Sequence, residues 1–378
     1  MHLLQVTTTY YPELQFGGPP QKIHNLSCQL LQRGHTITVV TLHSQQPGAN
    51  FQSFIDGILV QYLPWIGRNN YRWPRQLDLL KEVVQASDVV HGYGLYNLLT
   101  PAAARYAEEL KIPFVLEPLG MYKPRVRNQY LKRMYHQFFT RPMSERASRL
   151  IVTSSAEMAD LAGLVETDKL LLRRNGVNVE QFTNLPDGRR LRTAFHIPKD
   201  AHIILYLGRI SPIKNLETLI DAFQQAQLPN TWLLLVGPTL EQHYADELRL
   251  KIKKYSLEEQ VLLTGALYGE EKLAAFAAAD LFVLPSHFES FGNAAAEAVV
   301  AGLPVLITDG CGIAPQIHQR AGLSVQPTVE ALVAGLRCLL LDEQAKTALT
   351  RGRMELVQQL SWERPIDETE ILYQSLVN

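Results

Sequence analysis

Two series of short aliphatic runs, each alternating with stretches of helical length, constrain this chain more than any other feature. In the first half the runs fall at 3–8, 36–42, 88–91, 114–117 and 150–153, and amphipathic stretches occupy 20–32, 73–86 and 98–110. A second series follows, with runs at 202–207, 232–236, 261–264, 281–284 and 305–308. Its helical stretches are 215–225, 270–279, 293–301 and 329–341. Strands that alternate with helices predict largely parallel sheets covered on both faces. The expected fold class is therefore α/β, with two doubly wound, Rossmann-like domains.

Residues 186–200 contain Pro186, Gly188, Pro198 and several charges, and read as a linker. They separate a first domain over 1–185 from a second over 201–360. Residues 361–378 read as a terminal helix with apolar Ile366, Ile371, Leu372 and Leu376, whose target the pattern does not name. Sheets of this kind bind ligands beyond the carboxyl ends of their strands. Two of them facing across a deep cleft would hold a bipartite substrate and exclude water.

A length of 378 residues accommodates two such domains. The 36 basic and 37 acidic residues nearly cancel, so overall charge offers no pull towards nucleic acid, and none is expected as a partner. Cys28, Cys311 and Cys338 form no CxxC, which argues against a disulfide framework or a cysteine-rich zinc site. No apolar run is long enough to cross a bilayer, and residues 3–12 read as a first strand rather than a signal peptide. Together these imply cytoplasmic residence, with adhesion to a membrane surface left open.

Chemistry concentrates in the second half. Glu289-Ser-Phe-Gly-Asn-Ala-Ala-Ala-Glu297 follows an apolar strand, and Asn293 could cap a helix with Glu297 in its early turns. One acid can accept hydrogen bonds from sugar hydroxyls and the other from a ribose. Backbone N–H groups of Phe291, Gly292 and Asn293 could meet developing negative charge. The plainer alternatives are a helix-dipole partner for Glu297 and a solvated turn for Glu289. Gly208-Arg209-Ile-Ser-Pro-Ile-Lys214-Asn215 leaves the 202–207 strand. Gly208 suits a tight exit turn, Arg209 can fork onto phosphate, and Lys214 adds positive charge where the next helix begins. Two cations at the positive end of a helix imply an anion; two solvated side chains are the alternative.

These two motifs, in this order and spacing, resemble family 4 of the retaining glycosyltransferases, whose domains form the GT-B fold. Glu289 to Glu297 matches the family's Glu-x7-Glu pattern, and Gly208, Arg209 and Lys214 match its Gly-Arg followed by Lys. The resemblance extends to Tyr10-Tyr11-Pro12, Gly17-Gly18, Asn175-Gly176-Val177 and Ser361-Trp362-Glu363, nearly the whole chain. It implies a nucleoside-diphosphate sugar on the second domain, its diphosphate facing Arg209 and Lys214, its ribose Glu297 and its transferred sugar Glu289. Gly237 and the Ala266-Leu267 segment would border the nucleotide. The terminal helix would cross back to the first domain. Transfer would proceed with retention, a leaving-phosphate oxygen taking the acceptor proton. No cofactor beyond the donor is expected. With two cations present and no Asp-x-Asp or histidine/carboxylate cluster, no essential metal is expected either.

The first half carries less. Gly17-Gly18-Pro-Pro could bring backbone donors near phosphate or simply be a turn. His91, at the end of its run, could orient an acceptor hydroxyl or the donor sugar, or be an ordinary hydrogen-bonded strand residue. Some relatives place a histidine after the next strand; Glu117 and Gly120 occupy that segment here. Lys123, Arg125, Arg127, Lys132, Arg133, Arg141 and Arg146 face only Glu145 between 123 and 146, among Tyr130, Leu131, Met134, Tyr135, Phe138 and Phe139. That segment could hold a lipid-linked acceptor at an anionic membrane face, or dock through its aromatics with solvated cations opposite. The expected activity is sugar transfer to a hydroxyl acceptor, including a lipid-linked or polysaccharide precursor. The alternatives are a nucleotide-sugar hydrolase or isomerase, and a non-catalytic sugar-nucleotide-binding protein.

Overall fold

The computed structural model describes residues 1–48, 50–68, 71–123 and 129–378. The chain forms two compact units, Met1–Asn175 with Trp362–Asn378, and Gly176–Ser361.

Eight strands make the sheet of the first unit. Across it they run Leu170–Leu172, Arg149–Val152, Phe114–Glu117, Val89–Tyr93, His2–Val6, Thr36–Thr41, Ile58–Tyr62 and Phe51–Ile55. All pairings are parallel except that of the edge strand Phe51–Ile55, which folds back on Ile58–Tyr62 as a hairpin. Consecutive aliphatic residues point to opposite faces of a strand. Leu4, Val40, Leu116 and Val152 accordingly enter one buried cluster with Leu80 and Leu99, while Leu3, Val39, Val115 and Ile151 enter another. Ile23, Leu26 and Leu30 of helix Gly18–Gln32 belong to that second cluster. So do Ile366, Leu372 and Tyr373 of the terminal helix Glu363–Val377, whereas Ile371 is exposed. The target of the terminal helix is thus the first unit's sheet.

The second unit has six parallel strands in the order Val261–Gly265, Thr231–Val236, His202–Leu207, Leu281–Leu284, Val305–Thr308, Gly322–Val325. Numbered along this unit, that is 3-2-1-4-5-6, the doubly wound order. Its expected linker is not one. The division falls between Asn175 and Gly176, and 186–200 belong to the second unit. Leu191 and Ile197 are buried in its core, and Arg192 of helix Arg189–Ala194 donates to the carbonyls of Pro198, Ala201 and Ala278. Those two apolar anchors sit among charges and prolines, which hid them from a reading by composition.

Candidate functional site

Strand order reverses between His202–Leu207 and Leu281–Leu284, so the segments leaving their carboxyl ends diverge and leave a crevice. Arg209 and Lys214 leave the first strand, and Glu289 leaves the second. Tight packing aims the first loop: the Gly208 N–H donates to Val236 O at 3.0 Å, and the Tyr206 hydroxyl donates to Arg209 O at 2.8 Å. A Cβ on Gly237 would lie 1.8 Å from Gly208 O, so the neighbouring strand end must be glycine for this loop to pass. The Arg209 side chain is exposed.

Lys214 ends the 3-10 turn Pro212–Lys214 and is buried, and its Nζ forms an ion pair with Glu289 Oε1. The two loops are also joined through the backbone, His287 N–H donating to Ile213 O at 2.9 Å. Glu289 itself is pinned from below: its N–H donates to Gly310 O at 3.1 Å and its carbonyl accepts from Gly312 N–H at 3.0 Å. The neighbouring phenol and thiol stay neutral. Burial first, and then the Glu289 charge, hold the Tyr206 phenol well above its ordinary range. The same two causes push the Cys311 thiol up to about 12. Sequence reasoning assigned Lys214 to phosphate and Glu289 to sugar as separate groups; the structure makes them one charge pair.

Helix Asn293–Val300 follows. Asn293 is its first residue rather than its cap. Gly292 occupies the cap position with φ 109, and no side chain caps the helix. A Cβ at Gly292 would press on Ile313 and Leu284, at 3.1 and 3.4 Å. Phe291 is buried and accepts Ile313 N–H at its carbonyl, so its ring serves the core and only its backbone could face a ligand. Glu297 pairs with Lys272 Nζ at 2.7 Å, from helix Gly269–Ala278. Lys272 was missed, since a lysine in a charged helix start carries no signal. Gly265 has φ 79, and half-buried Ala266 and Leu267 follow it.

In the first unit Gly17 (φ 98) caps helix Gly18–Gln32, with prolines at its second and third positions. Prolines lack an N–H, so only Gly18 and Gln21 keep donors among the first four residues. His91 does not reach a ligand-facing strand end. Strand Val89–Tyr93 continues past it, and its ring is buried, with Nδ1 2.6 Å from Tyr373 Oη and 3.0 Å from Tyr93 Oη. Its Nε2 stands 3.7 Å from Glu117 Oε2, beyond hydrogen-bond reach. Burial, then the Arg173 and Lys22 charges, hold His91 well below the usual histidine range. Glu117 is buried between Lys22 and Arg173, its Oε2 2.8 Å from Arg173, while Arg173 also donates to Thr369 of the terminal helix at 3.1 Å. Lys22, burial opposing its charge first and Arg173 second, lies well below the ordinary lysine range. In this cluster the His91 ring is a buried, hydrogen-bonded strand residue, the plainer of its two expected readings. Lys22 had a faint signal, a cation on the apolar face carrying Ile23, Leu26 and Leu30.

Over 129–146, Tyr130, Leu131, Met134 and Phe138 are exposed on helix Gln129–Tyr135 and the π-type turn after it. The cations have more partners than Glu145: Lys123 meets Asp160 at 3.1 Å, Arg146 meets Glu108 at 2.6 Å, and Lys132 lies over the Tyr96 ring. Arg141 pairs with Glu145. Arg125 and Arg127 lie outside the described residues. No helix among the described residues is long and apolar enough to cross a membrane.

Comparison with known proteins places these elements. Residues 17–192 match the family model described as Glycosyl transferase 4-like domain, and residues 187–353 match Glycosyl transferases group 1. A D-inositol 3-phosphate glycosyltransferase of Kineococcus radiotolerans is 25% identical, over 96% of this chain and 91% of that protein. Among solved structures, Anabaena Alr3699/HepE in complex with UDP and glucose superposes with a TM-score of 0.81 at 20% identity, covering 99% of this chain and 100% of that one. Sucrose-phosphate synthase of Thermosynechococcus elongatus gives 0.80 at 23% identity, covering 99% and 98%. The chain belongs to the group 1 glycosyltransferases of GT4 type, with two Rossmann-like domains of the GT-B fold.

Proposed function

We propose that this glycosyltransferase takes a sugar from a nucleoside-diphosphate donor to a hydroxyl acceptor with retention, using the crevice beside Glu289. The observation that carries the reading is the Lys214–Glu289 pair at the switch point of the second sheet, with Arg209 exposed on the same loop. An incoming diphosphate offers Lys214 a stronger anionic partner, and Arg209 can fork onto the same group. Glu289, released from full neutralisation, then faces the sugar as positive charge develops at its anomeric carbon. Donor binding thus moves one cation from carboxylate to diphosphate, and the freed carboxylate acts on charge that develops only in the transition state.

Retention follows if the acceptor approaches the face that the diphosphate leaves, a leaving oxygen receiving the acceptor proton. Neither a metal nor an organic cofactor is required at this site, because the two cations can balance the diphosphate. Glu297 is the proposed ribose acceptor, aimed by Lys272. Gly208, Gly237, Ala266 and Leu267 are the proposed nucleotide border, the backbone of Phe291, Gly292 and Asn293 the proposed anion-facing edge, and Gly17 and Gly18 a proposed first-domain contact. The bound UDP and glucose of the Anabaena relative support a nucleotide-sugar donor. The exposed aromatics of 129–146 support a lipid-linked acceptor, or a polysaccharide precursor handled at an anionic membrane face.

A panel of nucleotide sugars with and without candidate acceptors tests the activity. Acceptor-dependent transfer, with the anomeric configuration of the product retained by NMR, is the expected result. Sugar release to water alone would make the protein a hydrolase, and binding without turnover would make it a non-catalytic binder.

A further inference from the structure

One group of histidine, cysteine and carboxylate side chains among the described residues brings its donor atoms within 4.8 Å of one another: His24, Cys28 and Asp56. They lie in the first unit and have no part in the donor site. His24 and Cys28 stand four apart on helix Gly18–Gln32, so one face presents both. Asp56 comes from the two-residue turn joining Phe51–Ile55 to Ile58–Tyr62. Asp56 and Gly57 both have left-handed φ, 49° and 81°, the geometry an Asp-Gly hairpin turn requires. That turn delivers the carboxylate to the helix: Asp56 Oδ2 is 2.9 Å from His24 Nε2, and Cys28 Sγ is 3.5 Å from the same nitrogen.

The ring is held in place on its other sides. Tyr10 Oη lies 2.9 Å from Nδ1, and Tyr11 stacks on the ring face at 4.3 Å. A second hydrogen-bonding group on the far nitrogen is the arrangement that orients ligating histidines. A zinc ion about 2.1 Å from nitrogen and about 2.3 Å from sulfur spans a tetrahedral N···S edge of about 3.5 Å. His24 and Cys28 already stand at that separation. The corresponding N···O edge, about 3.3 Å, needs only a small rotation of Asp56, whose side chain is two-thirds exposed. The same exposure leaves a fourth vertex to water. Imidazole, thiolate and carboxylate together select a borderline-soft ion over magnesium or calcium.

We propose that His24 Nε2, Cys28 Sγ and an Asp56 carboxylate oxygen form a three-ligand site for a zinc-class divalent cation that staples the 51–62 hairpin to the first helix. On binding, the thiol releases its proton to solvent and its sulfur lone pair forms the metal bond; nothing is oxidised or reduced. The competing occupant of the gap is a proton on Nε2 shared with Asp56.

The untagged full chain, stripped with chelator, loaded with zinc and gel-filtered, decides between them. The site should retain about one zinc per chain by mass spectrometry, and Cys28→Ser and Asp56→Asn should each lower retention roughly tenfold or more with unchanged circular dichroism. Cobalt(II) should give a thiolate-to-metal charge-transfer band that Cys28→Ser lacks. Zinc should raise the Tm of the wild type and leave that of Cys28→Ser unmoved. Retention by the wild type of less than about a tenth of an equivalent means that only the proton occupies the gap. Retention unchanged in either variant means adventitious binding elsewhere. Either result overturns the proposal.

Discussion

Lys214 and Glu289, seventy-five residues apart in sequence, share one half-buried ion pair at the point where the second sheet reverses its strand order. Each half of the pair has its own support, Lys214 in the turn after its strand and Glu289 in two backbone hydrogen bonds to the 310–312 loop, and the His287 N–H bond to Ile213 O ties the two segments together. Breaking a pair of this kind by removing one partner leaves the other charge uncompensated. Mutations at the two positions should therefore have different consequences.

Removing the cations should act on the donor. Lys214→Ala and Arg209→Ala should each weaken nucleoside-diphosphate binding by about 1–3 kcal/mol, the range for a lost charge-assisted hydrogen bond. Lys214→Ala should also lower the Tm, since it strands Glu289, whereas exposed Arg209 should not. Calorimetric titration and thermal melts separate the two effects. Normal binding in both variants would remove the diphosphate from this loop.

Glu297 and Lys272 should behave as a ligand contact and its support. Glu297→Gln should weaken nucleotide affinity, and Lys272→Met should weaken it less, through a misplaced Glu297 carboxylate. The double variant should lose little more than Glu297→Gln alone, because residues acting through one contact are not additive. Additive losses would make Lys272 an independent contact.

The terminal helix, its sheet and His91 make stability depend on acid. The folded-state pKa of His91 lies below its ordinary 6.5, through burial first and then Arg173 and Lys22. Its contribution is fully present above pH 6.5 and is lost as pH falls through the folded value, because the unfolded chain binds a proton that the folded chain refuses. The slope can reach about 1.4 kcal/mol per pH unit. Melts of wild type and His91→Asn between about pH 5 and 8 should converge towards the acid end. Parallel curves would mean that His91 titrates normally.

The 129–146 surface should bind anionic vesicles. Substituting Phe138 and Tyr130 by serine should lower vesicle partitioning without changing turnover on a soluble acceptor. Neutralising Lys132 and Arg133 should cost about 1 kcal/mol per charge, less as salt rises. Sedimentation with phosphatidylserine vesicles measures this, and unchanged partitioning in all variants would leave the patch a packing surface.

Much of this architecture was legible because parallel strands buried on both faces are nearly continuous aliphatic runs, as in 202–207 and 281–284. Order and spacing of Arg209, Lys214, Glu289 and Glu297 pointed to one strand-end site, and the structure brings Lys214 and Glu289 together. The hairpin through Asp56-Gly57 went unread, since Phe51 and Phe54 alternate with polar residues too weakly to stand out. Stretch 73–86 read as one helix, yet it begins in strand Tyr71–Pro74 and becomes helical only at Leu77. His91 was misplaced by two residues of strand, enough to move its ring from an edge into the interior. Long-range partners such as Arg173 with Glu117, or Lys272 with Glu297, have no local pattern at all.

Glu289→Gln tests the central claim most directly. The substitution preserves most of the size of the side chain while removing its charge, and releases Lys214 to the donor phosphates. Binding of a non-transferable donor should be unchanged or tighter, while single-turnover transfer should fall by about a hundredfold or more, as when a charge acting in the transition state is lost. Single-turnover chemistry at the wild-type rate in the folded Glu289→Gln protein would contradict the account.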